Sequence, residues 1–253
     1  MNTLDARTLQ LQYNLQHVTA RIQRATAAVG RMRPPTLIVV SKFHPAQDVR
    51  RLRALGVADV GENRDQEAAA KAVEVADPGL RWHFIGQLQK NKAKSVVQYA
   101  HSVHSLDRAS IVGALSKAML AQQELDGRAA LECYVQVDLS EPGWLPGAGG
   151  ATDTAGPGTR GGADPAEVLQ LADLVASSGG LMLAGVMAVA PLGADAGAAF
   201  ERLAGISASL VQQHPQATGI SAGMSQDLEQ AIAAGATHLR VGSDILGPRP
   251  AVR

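Results

Sequence analysis

The run Val39-Val40-Ser41-Lys42 carries an apolar stretch up to a lysine, ahead of Phe43-His44-Pro45. A lysine at the C-terminal end of a buried strand holds its amine against an apolar interior, where burial disfavours the charged form. A neutral amine attacks an aldehyde and forms a Schiff base. Other groups suited to such chemistry stand in short segments elsewhere. They are Glu62 and Asn63 in Gly61-Glu62-Asn63-Arg64, and His83 in Trp82-His83-Phe84-Ile85-Gly86. Two more segments, Ser221-Ala222-Gly223-Met224-Ser225 and Arg240-Val241-Gly242-Ser243, combine hydroxyls with glycine backbone N–H groups, which suits a phosphate. Ser225 also reads as the N-cap of a helix from Gln226.

Each group taken alone has a purely structural reading. A strand-end lysine is commonly a solvated cap. His83 between Trp82 and Phe84 suits a hydrogen-bonded core residue, Gly61-Glu62-Asn63 a turn, and Arg240 half of an ion pair on a barrel floor. Lys90, Lys92 and Lys94 read as a solvated helix face, and Met182, Met187 and Met224 as core. Chemistry is favoured only if the fold brings the segments to one place.

The spacing of the elements does so. Leu11, Leu15, Val18, Ile22, Ala25 and Val29 recur at intervals of four and three, one face of an amphipathic helix ended by Gly30. After it, eight β-type runs alternate with helical segments. The runs are Thr36–Ser41, Asp59–Glu62, Arg81–Ile85, Ser102–Ser105, Leu131–Asp138, Leu183–Val189, Ala217–Ser221 and His238–Val241. Strand followed by helix, repeated eight times, predicts one α/β domain: a (β/α)8 TIM barrel with an extra N-terminal helix. An open doubly wound sheet is the alternative. In a barrel the functional side chains sit at the C-terminal strand ends, and phosphates bind after strands seven and eight. Gly143 to Gly162, reading GWLPGAGGATDTAGPGTRGG, interrupts the alternation and has too little apolar surface to offset its ordering entropy. It is expected to be a mobile insertion within the single domain spanning 1–253.

Composition narrows the class. The chain has 253 residues and no formal net charge, against a role in nucleic-acid or membrane-surface binding through bulk electrostatics. Its one cysteine, Cys133, lies in an apolar run and cannot form an internal disulfide, consistent with a reducing compartment. Met1 to Arg24 is too polar for a signal peptide, and the longest strongly apolar run, Leu181 to Leu192, is too short to span a bilayer. A soluble, cytoplasmic monomer is expected.

Taken together, the segments VVSKFHP, VGENRDQE, WHFIGQLQKNK and SAGMSQDLEQAIAAGATHLRVGSDILGPR resemble the YggS/PROSC group of pyridoxal 5′-phosphate (PLP) homeostasis proteins. The resemblance runs from about Ala27 to Arg249. That group is similar to the N-terminal barrel of alanine racemase without its C-terminal β-domain. The resemblance implies that Lys42 forms the internal aldimine with PLP. It implies that Asn63 and His83 line the pocket, that Ser221, Gly242 and Ser243 bind the phosphate with Met224 beside them, and that Arg240 faces the pyridine nitrogen. The sequence departs from the group at Ala222, where methionine is usual, at Leu246, where phenylalanine is common, and in the Gly-rich insertion, where a shorter lysine-containing segment is usual.

An arginine at the pyridine nitrogen donates a hydrogen bond without protonating the ring, which weakens carbanion stabilisation. A racemase needs a second acid/base group opposite the lysine, and Tyr13, Tyr99 and Tyr134 offer no evident source. The first expectation is therefore a non-catalytic carrier that binds, shields and delivers PLP, with apo forms of PLP-dependent enzymes as partners. The alternatives are a racemase of narrow activity and a PLP-independent barrel enzyme acting on a phosphorylated metabolite.

Overall fold

The structure, a computed structural model, describes residues 5–140 and 161–248. Eight parallel strands close into a barrel in chain order: β1 Thr36–Val40, β2 Asp59–Glu62, β3 Arg81–Phe84, β4 Ala100–Leu106, β5 Leu131–Gln136, β6 Leu181–Met187, β7 Gly219–Ser221 and β8 His238–Val241. Closure is made by β1 on β8, with Ile38 opposite Arg240 and Val39 opposite Val241. The open-sheet alternative is thereby excluded. The helices between strands are α2 Ala46–Ala54, α3 Asp65–Val75, α4 Ala93–Tyr99, α5 Ala109–Asp126, α6 Val168–Ser177, α7 Ala196–Gln213 and α8 Leu228–Ala233. They follow α1 Ala6–Ala28, whose N-cap Asp5 accepts from the Thr8 N–H.

Strand alternation sorts the side chains. Val39, Val60, Trp82, Phe84, Val103, Cys133, Val135, Leu239 and Val241 face outward into the layer beneath the helices, where Leu52, Leu115 and Phe200 meet them. Each buried side chain of this size contributes about 1.5–3 kcal/mol of transfer free energy. Ile38 and Val40 take the opposite phase: a Cβ at Gly61 would meet their side chains and that of Ile85.

The strand bounds differ from the sequence expectation in places. β4 begins two residues early because His101 is bulged out of register between β3 and β4. β5 ends at Gln136, and Val137 pairs with Ala163 instead, joining the two sides of the insertion. Most of the insertion, residues 143–160, lies outside the described residues. A short helix after β8, α9 Ser243–Leu246, has no counterpart in the sequence pattern, because four residues carry no periodicity to read.

Candidate functional site at the C-terminal mouth

Lys42 lies two residues past the end of β1, in phase with Ile38 and Val40, and is half-buried. The backbone on both sides of it is held by one buried charge cluster. Lys71 Nζ, from α3, donates to the Ser41 carbonyl at 2.8 Å, to Glu62 Oε1 at 2.7 Å and to Glu67 Oε1 at 2.6 Å. Ser41 Oγ donates to Glu62 Oε1 at 2.7 Å, and the Phe43 N–H donates to Glu67 Oε1 at 2.6 Å. Phe43 sits in the left-handed region at φ 69°, a conformation that costs a non-glycine residue energy and persists where the surroundings impose it. The Glu67 bond and the Arg64 guanidinium 5.1 Å above the Phe43 ring supply that constraint. Burial pushes the Glu62 carboxyl up, with Lys71 opposing it. Sequence reading places Glu62 at the strand end but misses Lys71. The available signal is a lysine four residues after Glu67 on an alanine-rich helix, within reach of a strand-end carboxylate.

Asn63 follows β2 at the same mouth. Its Oδ1 is buried with no partner. Gly86, after β3, packs directly on the Asn63 carbonyl, which a Cβ at this position would strike.

The loops after β7 and β8 meet across the mouth, with Ser225 Oγ 3.2 Å from Ser243 Oγ. Ser243 opens α9, in which the Ile245 and Leu246 N–H groups both donate to the Gly242 carbonyl. Gly242 lets that turn lie against β1: a Cβ there would be 3.0 Å from the Val40 carbonyl. The extra helix α1 ties these loops together. Arg21 donates to the Ser225 carbonyl at 3.1 Å and to Asp244 Oδ2 at 2.8 Å, while Arg7 and Asn14 take the Leu246 and Ile245 carbonyls at 3.0 and 2.9 Å. Ser225 is not a helix cap; α8 begins after Asp227, whose carboxylate accepts from the Met224 N–H. The Met224 side chain is exposed beside this loop.

Two expected site residues stand elsewhere. The Ser221 hydroxyl is fully buried and directed into the lumen, 2.6 Å from Arg240 Nη1 and 2.8 Å from His104 Nδ1, so it faces neither Ser225 nor Ser243. The strand phase that carries Arg240 inward carries Ser221 inward too. His83 is not at the mouth. It is level with Gly61, and its Nε2 lies 2.9 Å from Asp59 at the opposite end of the barrel. Lys42 and Asn63 come after their strands, whereas His83 comes before the end of its own, which a search for strand-end residues does not separate. Arg240 is buried, with Nη2 donating to the Ala188 carbonyl at 2.8 Å. Burial pulls its pKa to about 10 against the attraction of Asp227, which leaves it charged at neutral pH.

At the N-terminal mouth a polar cavity of about 320 Å³ is lined by Thr36, Asp59, Arg81, His83, His101, Glu132 and His238. Burial opposes ionisation of Asp59, yet hydrogen bonds from His83 and Arg81 hold its carboxyl well below the usual range. Among the described residues no acidic, histidine and cysteine side chains form a metal-binding group, and no helix is long and apolar enough to cross a membrane.

The alanine racemase N-terminal domain profile matches residues 13–250. A pyridoxal phosphate homeostasis protein of Mycobacterium bovis is 38% identical, with 96% of this chain and 94% of that protein covered. One of Pseudomonas aeruginosa is 36% identical, covering 93% and 94%. The structure of PipY from Synechococcus elongatus with PLP bound is 34% identical, has a TM-score of 0.71, and covers 89% of this chain and 100% of that one.

Proposed function

The chain belongs to the family of the alanine racemase N-terminal domain and groups within it with the pyridoxal phosphate homeostasis proteins, and we propose that it holds PLP at the C-terminal mouth through Lys42 and passes it on without turning over amino acids. The residues fit this cofactor. Asn63 brings a buried amide without a partner for its oxygen, suited to a ring substituent. Ser225, Ser243 and the backbone beside Gly242 form a cradle with hydroxyl and N–H donors, as a phosphate requires. When bound, PLP supplies an aldehyde to the amine and an electron-withdrawing ring beside it.

The non-catalytic reading rests on the lack of a second acid/base group, which a racemase would need, together with Arg240. Its guanidinium is charged, buried and donor-only, so it serves the ring nitrogen as a hydrogen-bond donor and leaves it without a full proton. The tyrosines add support. Tyr13 is exposed on α1, Tyr99 faces Asp65 at 3.4 Å, and Tyr134 stacks on His104 inside the lumen. None is available as a second acid/base group opposite Lys42. One missing group of that kind removes roughly 10²–10⁴-fold in rate. Apo forms of PLP-dependent enzymes are the recipients this reading implies, and a cytoplasmic monomer is the form in which it acts.

The test is incubation of the loaded protein with L-alanine in deuterated water, following exchange at Cα by NMR. Trace exchange is expected. Exchange at ordinary enzymatic rates, abolished by Lys42→Ala, would overturn the carrier reading in favour of a racemase.

A further inference from the structure

We propose that a one-way hydrogen-bond chain through the barrel, from Arg240 to Asp59, fixes how Arg240 is presented, with His104 as its central positioning residue. The proposal rests on the reading that Arg240 serves the cofactor's ring nitrogen. His104 belongs to β4 and Ser221 to β7, strands that are not neighbours, so their 2.8 Å contact crosses the interior. Branched aliphatic side chains usually fill this layer of a barrel. Here it is built of two serines, two histidines and an arginine, all buried.

Donor and acceptor inventory sets the direction. Arginine has no acceptor, so the 2.6 Å contact between Arg240 Nη1 and Ser221 Oγ runs from arginine to serine. The Ser221 hydroxyl has its own proton for His104 Nδ1, and that nitrogen is bare because Asp59, an ionised acceptor, fixes the proton order from the other end. The His104 proton therefore sits on Nε2, which faces Ser102 Oγ at 2.8 Å and His83 Nδ1 at 3.1 Å. Ser102 Oγ lies 2.6 Å from His83 Nδ1 and donates to it. That leaves the His83 proton on Nε2, 2.9 Å from Asp59 Oδ1, an ionised acceptor also held by Arg81 Nε at 2.7 Å. Every link is satisfied by a single arrangement, with both imidazoles neutral and protonated on Nε2. Burial favours the same state, lowering the pKa of His83 and carrying that of His104 well down.

The consequence lies at Arg240. Ser221 and the Ala188 carbonyl pin its two terminal nitrogens, so the guanidinium plane is fixed before any ligand arrives. Cutting the chain at His104 frees the Ser221 hydroxyl to turn and loosens one of those two anchors. A packing role for His104, which stacks on Tyr134 at 4.3 Å, predicts something different. His104→Phe keeps a ring for the stack and loses both hydrogen bonds. His104→Gln loses the ring and keeps one acceptor and one donor.

The experiment has two arms. In cofactor-free protein labelled with ¹⁵N-histidine, His83 and His104 should both be neutral Nε2–H tautomers near pH 7.5. Ser221→Ala should leave both rings as Nε2–H tautomers, because Asp59 sets the proton order from the other end. A charged ring, or a proton on Nδ1 of either ring in the unmutated protein, overturns the chain. In PLP-loaded protein the visible band and its pH titration should shift in His104→Phe and return in His104→Gln. An unshifted His104→Phe spectrum, or a shift in the glutamine variant alone, overturns the positioning role in favour of packing. A protein with the expected tautomers that takes up no PLP overturns the cofactor reading, and with it the coupling to Arg240.

Discussion

Replacing Lys71 by methionine tests how the backbone around Lys42 is held. Lys71 is 7% exposed and Glu62 1%, and Glu62 Oε2 already has no partner. Methionine fills the lysine's path but leaves the Glu62 carboxylate buried against a neutral group. Removing one member of a buried ion pair costs about 3–5 kcal/mol, and the Ser41 carbonyl loses a donor worth about 1 kcal/mol more. The cost is limited because Glu62 can take up a proton. Its folded pKa is already raised by burial, and without Lys71 it rises further. The sign follows from linkage. Below the unfolded carboxyl pKa of about 4.3 both states are protonated and the penalty is absent; it grows as pH rises toward the folded value. Urea unfolding of Lys71→Met followed by circular dichroism should therefore show a larger deficit at pH 8 than at pH 5.5. Adding Glu62→Gln should recover most of the deficit, since the stranded charge is gone. A deficit under about 1 kcal/mol that is flat with pH, or a double variant weaker than the single by the full cost of Glu62→Gln alone, would refute the reasoning.

Three further outcomes are expected. Ser225→Ala and Ser243→Ala should each weaken PLP binding by about 1.5–3 kcal/mol, the range for hydrogen bonds to charged groups, yet leave pyridoxal binding unchanged; equal losses for both ligands in titrations would remove these hydroxyls from the phosphate cradle. Gly86→Ala forces the Asn63 carbonyl aside and should lower PLP affinity along with stability, measured by titration and thermal unfolding. Asp59 has a depressed folded pKa, so its contribution is present above the unfolded value of about 3.9 and lost as acid titrates the folded carboxylate. The stability gap between the wild type and Asp59→Asn should thus be widest near neutral pH and close toward pH 2; a gap independent of pH would contradict the assignment.

The barrel is legible in the sequence because strand-then-helix alternation repeats eight times with clear apolar phases. That alternation alone brings Lys42, Asn63, Gly242 and Ser243 to one end. What is not legible depends on side-chain direction. Ser221 and Ser225 lie four residues apart in one motif, yet the first points into the lumen and the second toward Ser243. His104 and Ser102 read as ordinary strand residues, and only closure of the barrel sets His104 against Ser221 of a distant strand. Lys71 is hidden for a similar reason, since its three partners come from the residue after β1, from β2 and from α3 together. The tie between α1 and the loops after β7 and β8 spans more than two hundred residues of sequence, beyond the reach of periodicity.

The central claim is that Lys42 is the point of attachment for PLP, and borohydride reduction of the loaded protein followed by peptide mapping tests it most directly. The expected result is one pyridoxyl group on the peptide containing Lys42, absent in Lys42→Ala while the barrel's circular dichroism is unchanged. A label on Lys71, Lys90 or Lys92, or a label that persists in Lys42→Ala, would contradict the account.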